Sequence, residues 1–204
     1  MTQSPRRRAP HQERGERRIA QILDAAAQVI DEVGYEAATT VAIAARAHTA
    51  IGSLYQFFPN KEAILHELLE RYHTQLSAVL DGVITPVLVT LPLATLLDRM
   101  VDPLMAFELG QKGFKALFTG VPTDPDLARA THVLEEEVVG RIAAIFQARL
   151  PHLEPRLAYR YSLISVHLVK TFLSLAASPT IMTRAEAISE LKVVLLGYLT
   201  TIVG

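Results

Sequence analysis

Glu62, His66, Glu70 and His73 fall at i, i+4, i+8 and i+11, so a helix would set two imidazoles and two carboxylates along one stripe. Such a donor set could hold a divalent metal. The stripe lies opposite the apolar face of its helix, where a row of Glu and His is also ordinary solvated surface, and nothing elsewhere in the sequence complements it; no metal is expected. The chain contains no cysteine, which excludes disulfides and thiolate nucleophiles. It also has no nucleophile elbow, no glycine-rich phosphate loop and no paired carboxylates in a polar cluster, so neither an enzyme nor a cofactor is expected. Glu135, Glu136 and Glu137 read as a solvated patch without a role. Glu108, Lys115, His132, Arg160 and His167 stand isolated among apolar helices, where they suit the orientation of a ligand better than catalysis. The cavity is expected to be lined by Leu96, Met100, Leu104, Phe107, Phe114, Leu117 and Phe118, with His132 and His167 as polar contacts. The alternative is a filled core whose polar residues reach solvent.

A different chemistry is written into the segment from Thr39 to Ile64. Ile43, Ala44 and Ala47 repeat at helical spacing behind Thr39 and Thr40, two candidate N-caps, and predict a short helix ending near Ala47. A second short helix runs from about Ala50 to Phe57. Leu54, Phe57 and Phe58 are large enough to anchor it to a core, which leaves Ile51, Gly52, Ser53 and Gln56 facing outward. A helix presented in this way can enter a major groove. Asn60 then caps a helix opening with Lys61 and Glu62, whose free backbone N–H groups and cation suit a phosphate. Groove contact is expected from Ile51, Gly52, Ser53 and Gln56, and phosphate contact from Thr39, Thr40, Tyr55 and Lys61, with Arg46 a weaker candidate.

Arg18, Ile22 to Ala26, Gly34-Tyr35, Thr39-Thr40, Ile43-Ala44, Ala47, Gly52-Ser53-Leu54-Tyr55 and Phe58-Pro59-Asn60-Lys61-Glu62 together resemble the N-terminal domain of TetR-type transcriptional regulators. The resemblance covers roughly residues 14–69. It implies an all-α fold with an N-terminal three-helix helix-turn-helix DNA-binding domain and a C-terminal helical ligand-binding and dimerisation domain. It also implies a homodimer on a palindromic or near-palindromic operator, most often as a repressor, with a four-helix interface built from the last two helices. The family usually carries Ala-Gly-Val-Ser at the turn, where this chain has Ala47-His48-Thr49-Ala50. Histidine visits the left-handed region more readily than most side chains, so the turn should survive with some strain. Loss of Ser at position 50 removes the usual cap, and Thr49 is the expected substitute.

The net charge of −1 hides an asymmetry, since six arginines against two glutamates give residues 1–18 a charge of +4 and leave −5 for the rest. Residues 1–13 form an arginine-rich, proline-containing arm without hydrophobic periodicity. It should be disordered when free and open to phosphates or a minor groove, a merely solvated tail being the alternative. Mean hydropathy is high, +0.25. The longest uncharged stretch, Gly82 to Leu97, is nonetheless broken by Pro86 and Pro92 and falls short of the ~20 apolar residues a spanning helix needs. No signal peptide is read at the N-terminus, and a cytoplasmic protein without membrane contact is expected.

These sites require elements to hold them. Ile19, Ile22, Leu23, Ala26, Val29, Ile30 and Val33 mark one face of a scaffold helix from Arg14 that Gly34 ends. Residues 14–60 then form the DNA-binding domain and 61–204 the ligand-binding and dimerisation domain, with the helix from Lys61 towards Leu80 joining them. Leu93 to Gly110 is expected as one helix kinked at Pro103, the alternative being a separate helix capped at Asp102. A short helix follows at Gly113 to Phe118. Asp124-Pro125 opens a long one reaching Leu150, and Pro155 to Ala177 and Thr183 to Thr201 complete the set, the last with a Thr183-x-x-Glu186 capping box. Leu157, Tyr161, Ile164, Leu168, Phe172 and Leu175 on the first of this pair, and Leu191, Val194, Leu195, Tyr198, Leu199 and Ile202 on the second, are too many for a monomer surface. A second copy is the expected cover, with a buried core hairpin as the alternative.

The mechanism this predicts is geometric. Two recognition helices must reach successive major grooves about 34–36 Å apart. A small hydrophobic effector wedged among the middle helices would tilt the Lys61 to Leu80 helix and release duplex DNA. Two other readings stay open: a hydrophobe-carrying protein whose turn is spoiled by His48 and Ala50, and a helical enzyme whose polar residues converge in the cavity.

Overall fold

The computed structural model describes residues 10–118, 125–177 and 182–203, and every regular element among them is helical. In chain order these are α1 (Pro10–Ala37), α2 (Thr40–Arg46), α3 (Ile51–Phe57), α4 (Lys61–Val83), α5 (Leu93–Gly110), α6 (Phe114–Phe118), α7 (Pro125–Arg149), α8 (Pro155–Ala176) and α9 (Arg184–Val203). Helix α1 starts at Pro10, four residues before the expected boundary at Arg14. The arm residues Arg6, Arg7 and Arg8 lie outside the described residues, as does Asp124 at the opening of α7.

Gly34 interrupts α1 at φ 78°, ψ 165°, a conformation open essentially to glycine alone. The chain then turns so that Tyr35 and Ala38 drop into the core. Ile22, Ala26, Val29 and Ile30 are buried as the periodicity requires, whereas Val33, one residue before the break, is 53% exposed. Thr39 caps α2, its hydroxyl accepting from the Ala42 N–H at 3.1 Å, and Asn60 caps α4 by accepting from the Ala63 N–H at 2.8 Å. The capping box of α9 forms in both directions, Thr183 N–H to the Glu186 carboxylate at 2.6 Å and Glu186 N–H to the Thr183 hydroxyl at 3.2 Å. Glu186 is held below the usual carboxylate range by these hydrogen bonds.

Helix α5 runs unbroken through Pro103, which disposes of a separate helix starting at Asp102. Asp98 and Asp102, one turn apart, both grip Lys192 of α9 at 2.8 and 2.7 Å. Helix α4 packs on α1, α5 and α7; α7 packs on α8, and α9 lies against both α8 and α5. Among the described residues no helix is long and apolar enough to cross a membrane.

Helix α1 meets α4 and the turn before α6 along one side. Arg71 of α4 reaches Asp24 at 2.6 Å, and the N–H of Gly113 donates to Asp31 at 3.0 Å. The Tyr72 hydroxyl donates to the Lys112 carbonyl, and its burial pushes that phenol up to about 12. Gly113 sits at φ +75°, so close to α1 that a Cβ would stand 2.8 Å from the Ala27 carbonyl oxygen. The joint behind it is aromatic: Phe114 stacks on Phe118 at 4.3 Å and meets Tyr72 and Phe107 edge-on at 5.4 and 5.7 Å.

Helices α8 and α9 each turn only part of their apolar circumference to the subunit's own core. Ala158, Ser162, Ser165, Val166 and Leu173 of α8 face the core, as do Ala187, Leu191, Leu195 and Leu199 of α9. Leu195 therefore belongs to the subunit's own core and is corrected from an interface position. Ile164, Val193, Val194 and Leu196 remain exposed, beside Tyr161 and Tyr198 whose rings meet edge-on at 6.3 Å.

Candidate nucleic-acid interface and effector cavity

The α2–α3 turn is a complete Schellman cap built on histidine. The Thr49 N–H bonds the Ala44 carbonyl at 3.0 Å and the His48 N–H bonds Ala45 at 3.1 Å, with His48 at φ 48° in the left-handed position. From α1, Gln21 donates to the Ala47 carbonyl at 2.9 Å and braces the turn. Thr49 does not take over the missing cap: Ala50 is the N-cap of α3, without a side-chain hydrogen bond. The start of α3 rests instead on Leu54, fully buried, and Phe58 one turn later. Phe57, expected as a third anchor, is exposed, and it is Phe58, the C-cap with extended backbone, that turns into the core.

Ile51, Gly52 and Gln56 are exposed and Ser53 is half-buried, so the groove candidates share the outer side of α3. A Cβ on Gly52 would meet nothing within 4 Å, so packing within the subunit makes no demand for glycine there. The phosphate candidates surround this helix. The Thr40 and Tyr55 hydroxyls are hydrogen-bonded to each other at 3.1 Å, which joins the start of α2 to the middle of α3. Lys61 donates to the carbonyls of Tyr35 and Glu36 at 3.1 and 3.3 Å and lies 4.3 Å over the Tyr35 ring, its ammonium fixed beside the N-terminus of α4. Arg46 turns the other way and forks onto Glu32 of α1 at 2.8 and 2.6 Å, which makes it a brace between α1 and α2.

The stripe on α4 is not free surface. Glu62, His66, Glu70 and His73 line a groove of about 490 Å³ against Phe118 of α6 and Arg129, Ala130, Val133 and Leu134 of α7. His73 pairs with Glu137 of α7, which also accepts from Ser77 at 3.1 Å, and Glu137 is held below the usual carboxylate range chiefly by His73. Among the described residues no cluster of His, Asp or Glu is arranged to hold a metal. The three consecutive glutamates, read as a solvated patch, are each partnered. Successive residues of a helix point about 100° apart, and α7 lies between α4 and α8. Glu137 therefore reaches α4, Glu136 the Tyr159 hydroxyl, and Glu135 both Lys170 and His167 of α8. Charge runs on a helix packed on two sides are the signal that could have exposed this.

The expected cavity region divides into two compartments. The outer one, about 70 Å³, is lined by Leu96, Met100, Leu104, Phe146 and Leu195 with Arg149 at its wall. The inner one, about 60 Å³, is lined by Leu104, Phe114, Phe118, Glu108, Glu135 and Lys170. Leu104, Ile142 and Val169 form the partition, since all three line both. Phe107 and Leu117 back this region without lining either space. His132, His167 and Arg160 are exposed, Arg160 lying over the Tyr161 ring, so they do not supply its polar contacts. Glu108 does, together with Lys170, which the sequence reading did not include.

Known proteins match both the N-terminal and the C-terminal part of the chain. A family model described as bacterial regulatory proteins, tetR family, matches residues 22–68, and one described as tetracyclin repressor-like, C-terminal domain, matches residues 92–199. The HTH-type transcriptional repressor KstR of Mycobacterium tuberculosis is 39% identical over 64 residues, 31% of this chain and 29% of its own, so the match spans under a third of that relative's length. The HTH-type transcriptional regulator BetI of Cronobacter sakazakii is 26% identical over 144 residues, 69% of this chain and 71% of its own. A crystal structure of a TetR-family transcriptional regulator from Streptomyces coelicolor superposes with a TM-score of 0.62 at 27% identity, covering 91% of this chain and 99% of that one.

Proposed function

Because this chain belongs to the TetR family of transcriptional regulators, we propose that it represses transcription as a homodimer on operator DNA and is released by a small hydrophobic effector. The observation that carries the reading is the intact helix-turn-helix: His48 closes the turn with both Schellman hydrogen bonds and leaves Ile51, Gly52, Ser53 and Gln56 together on the outer side of α3. This also speaks against a carrier protein with a spoiled motif. In this reading α3 enters the major groove, with Gln56 and Ser53 reading base edges and Ile51 touching a thymine methyl. Thr39, Thr40, Tyr55 and Lys61 contact phosphates on either side and set the register. Residues 1–9 supply an arginine-rich arm for the minor groove, which matters because one apolar and three small or neutral residues give sparse direct readout.

The effector reading rests on the joints of α1. Asp24 and Asp31 hold α4 and the turn before α6 on the same helix that braces the recognition turn through Gln21. A ligand that parts Leu104, Ile142 and Val169 must move α5 against α7 and α8, and α4 packs on both α5 and α7. Rotation of α4 then alters the separation of the two recognition helices, and a ligand preferring that state weakens DNA binding by its differential affinity.

Single substitutions separate reading from positioning. Ser53→Ala and Gln56→Ala are expected to change the ranking of operators, by ~1–3 kcal/mol for a lost base contact. Lys61→Ala should weaken every duplex alike and lower the salt dependence by about one phosphate. Fluorescence anisotropy on a set of related duplexes checks this, and equal losses for all three variants on every sequence would overturn the assignment of the α3 face.

A further inference from the structure

The inner compartment contains a group that the subunit itself does not satisfy. The Glu108 Oε2 is fully covered and has no hydrogen-bond partner. Buried polar atoms are almost always partnered, so an orphan on a side chain that lines a cavity asks what would bond to it. The other walls are apolar, with Leu76 from α4, Phe114 and Phe118 from α6, and Val166, Val169 and Leu173 from α8. The Thr131 hydroxyl is already spent on the Leu127 carbonyl at 2.8 Å. The charged groups facing Glu108 are Lys170 from α8 and Glu135 from α7, and Lys170 is held by Glu135, whose other oxygen faces His167 at 3.4 Å. Two carboxyl groups thus face one ammonium in an apolar wall, and only Glu135 is paired with it. Once the Glu108 carboxyl is ionised, an anionic head placed here would be a third negative charge, a neutral hydroxyl would leave the imbalance, and a cation would remove it.

We propose that Glu108 is the recognition residue for a protonated amine, the effector being an amphiphilic ammonium whose apolar chain passes Leu104, Ile142 and Val169 into the outer compartment. This rests on the reading of the two compartments as the effector site and adds its ligand class. The ammonium N–H donates to the orphan oxygen, and the chain follows the Leu96, Met100 and Phe146 wall. Burial holds the Glu108 carboxyl up at about 7, against which Lys170 pulls down. An ammonium needs the carboxylate, so in the acid range binding expels the Glu108 proton to solvent while the amine keeps its own. The ionised fraction of a group titrating near 7 rises about tenfold between pH 6 and pH 8, and affinity should rise with it.

The test is calorimetric titration of the full chain with octylamine, octanol and octanoate at pH 6, 7 and 8, with operator release followed in parallel. Octylamine is expected to bind at least tenfold tighter than octanoate at pH 8, to gain about tenfold from pH 6 to pH 8, and to release a proton at pH 6, seen as a dependence on the buffer's ionisation enthalpy. Glu108→Gln should abolish the amine preference and the pH dependence together while still binding octanol, which shows the cavity to be folded. Leu104→Trp, filling the partition, should abolish binding of all three. The proposal is overturned if octylamine does not bind, if octanoate binds as tightly, or if Glu108→Gln keeps the pH dependence. Octanol or octanoate releasing operator without octylamine would leave the effector site standing and remove the ammonium. Octylamine binding through Glu108 without operator release would keep the recognition residue and remove its role as effector site.

Discussion

Glutamate at both Ile164 and Val194 is expected to convert a dimer into monomers and to lower operator affinity at least a hundredfold. Both residues are exposed on the subunit, one on α8 and one on α9, each about one turn along its helix from a member of the Tyr161–Tyr198 pair. Gly197 lies in the same stretch of α9, exposed and with open space where its Cβ would be. Glycine inside a helix costs roughly 0.5–1 kcal/mol relative to alanine, and close approach of a second helix would offset that loss. An unpaired charge buried at such a seam costs about 3–5 kcal/mol, by analogy with breaking a buried ion pair. Symmetry places each substitution in the interface twice. A monomer holds only one half-site and loses the gain of tethering, which alone exceeds the hundredfold, about 2.8 kcal/mol at 1.4 per tenfold. Sedimentation velocity with anisotropy on one duplex measures both; an unchanged dimer would place the interface elsewhere.

Gly113→Ala is expected to destabilise the chain by about 3 kcal/mol, since a left-handed backbone costs alanine ~1–2 kcal/mol and the Cβ adds a backbone clash. That Cβ would press on the Ala27 carbonyl, which belongs to α1 and cannot swing aside like a side chain. Relief requires the turn before α6 to lift from α1, which also lengthens the Gly113 to Asp31 hydrogen bond. The same change at Gly140, mid-helix in α7 and open to solvent, should raise stability by roughly 0.5–1 kcal/mol. Urea midpoints at constant m value compare the two. A Gly113→Ala midpoint equal to wild type would show that α6 does not bear on α1 as described.

The parts legible in the sequence are those where one residue type has one physical use. Thr39, Asn60 and the Thr183/Glu186 box are caps in the structure, and His48 takes the left-handed position that the spacing demanded. Helix α3 was legible because Leu54 and Phe58 fix one face and leave the other. What the sequence did not disclose depends on which helices meet. Val33 and Phe57 are apolar yet exposed, and Leu195 is a core residue on a helix that is hydrophobic on nearly every side, where periodicity has little to distinguish. His132, His167 and Arg160 were grouped with the cavity by their position in the chain, but their helices turn them outward. Lys170 and the three glutamates of α7 gain their partners only from the packing of α4, α7 and α8. Glu108 was named from its isolation in an apolar helix, though only the structure shows its oxygen to be unpartnered.

The claim that α3 reads operator DNA from a symmetric dimer is tested most directly by selection from a pool of random duplexes with the full chain, followed by footprinting of the recovered sequences. The expected product is an inverted repeat with half-site centres about one helical turn or a multiple apart, ~34–36 Å per turn, bound with a steep salt dependence. Gln56→Ala should shift the bases recovered within each half-site while leaving the spacing unchanged. Recovery of sequences without two-fold symmetry, or of no sequence above the starting pool, would contradict the account.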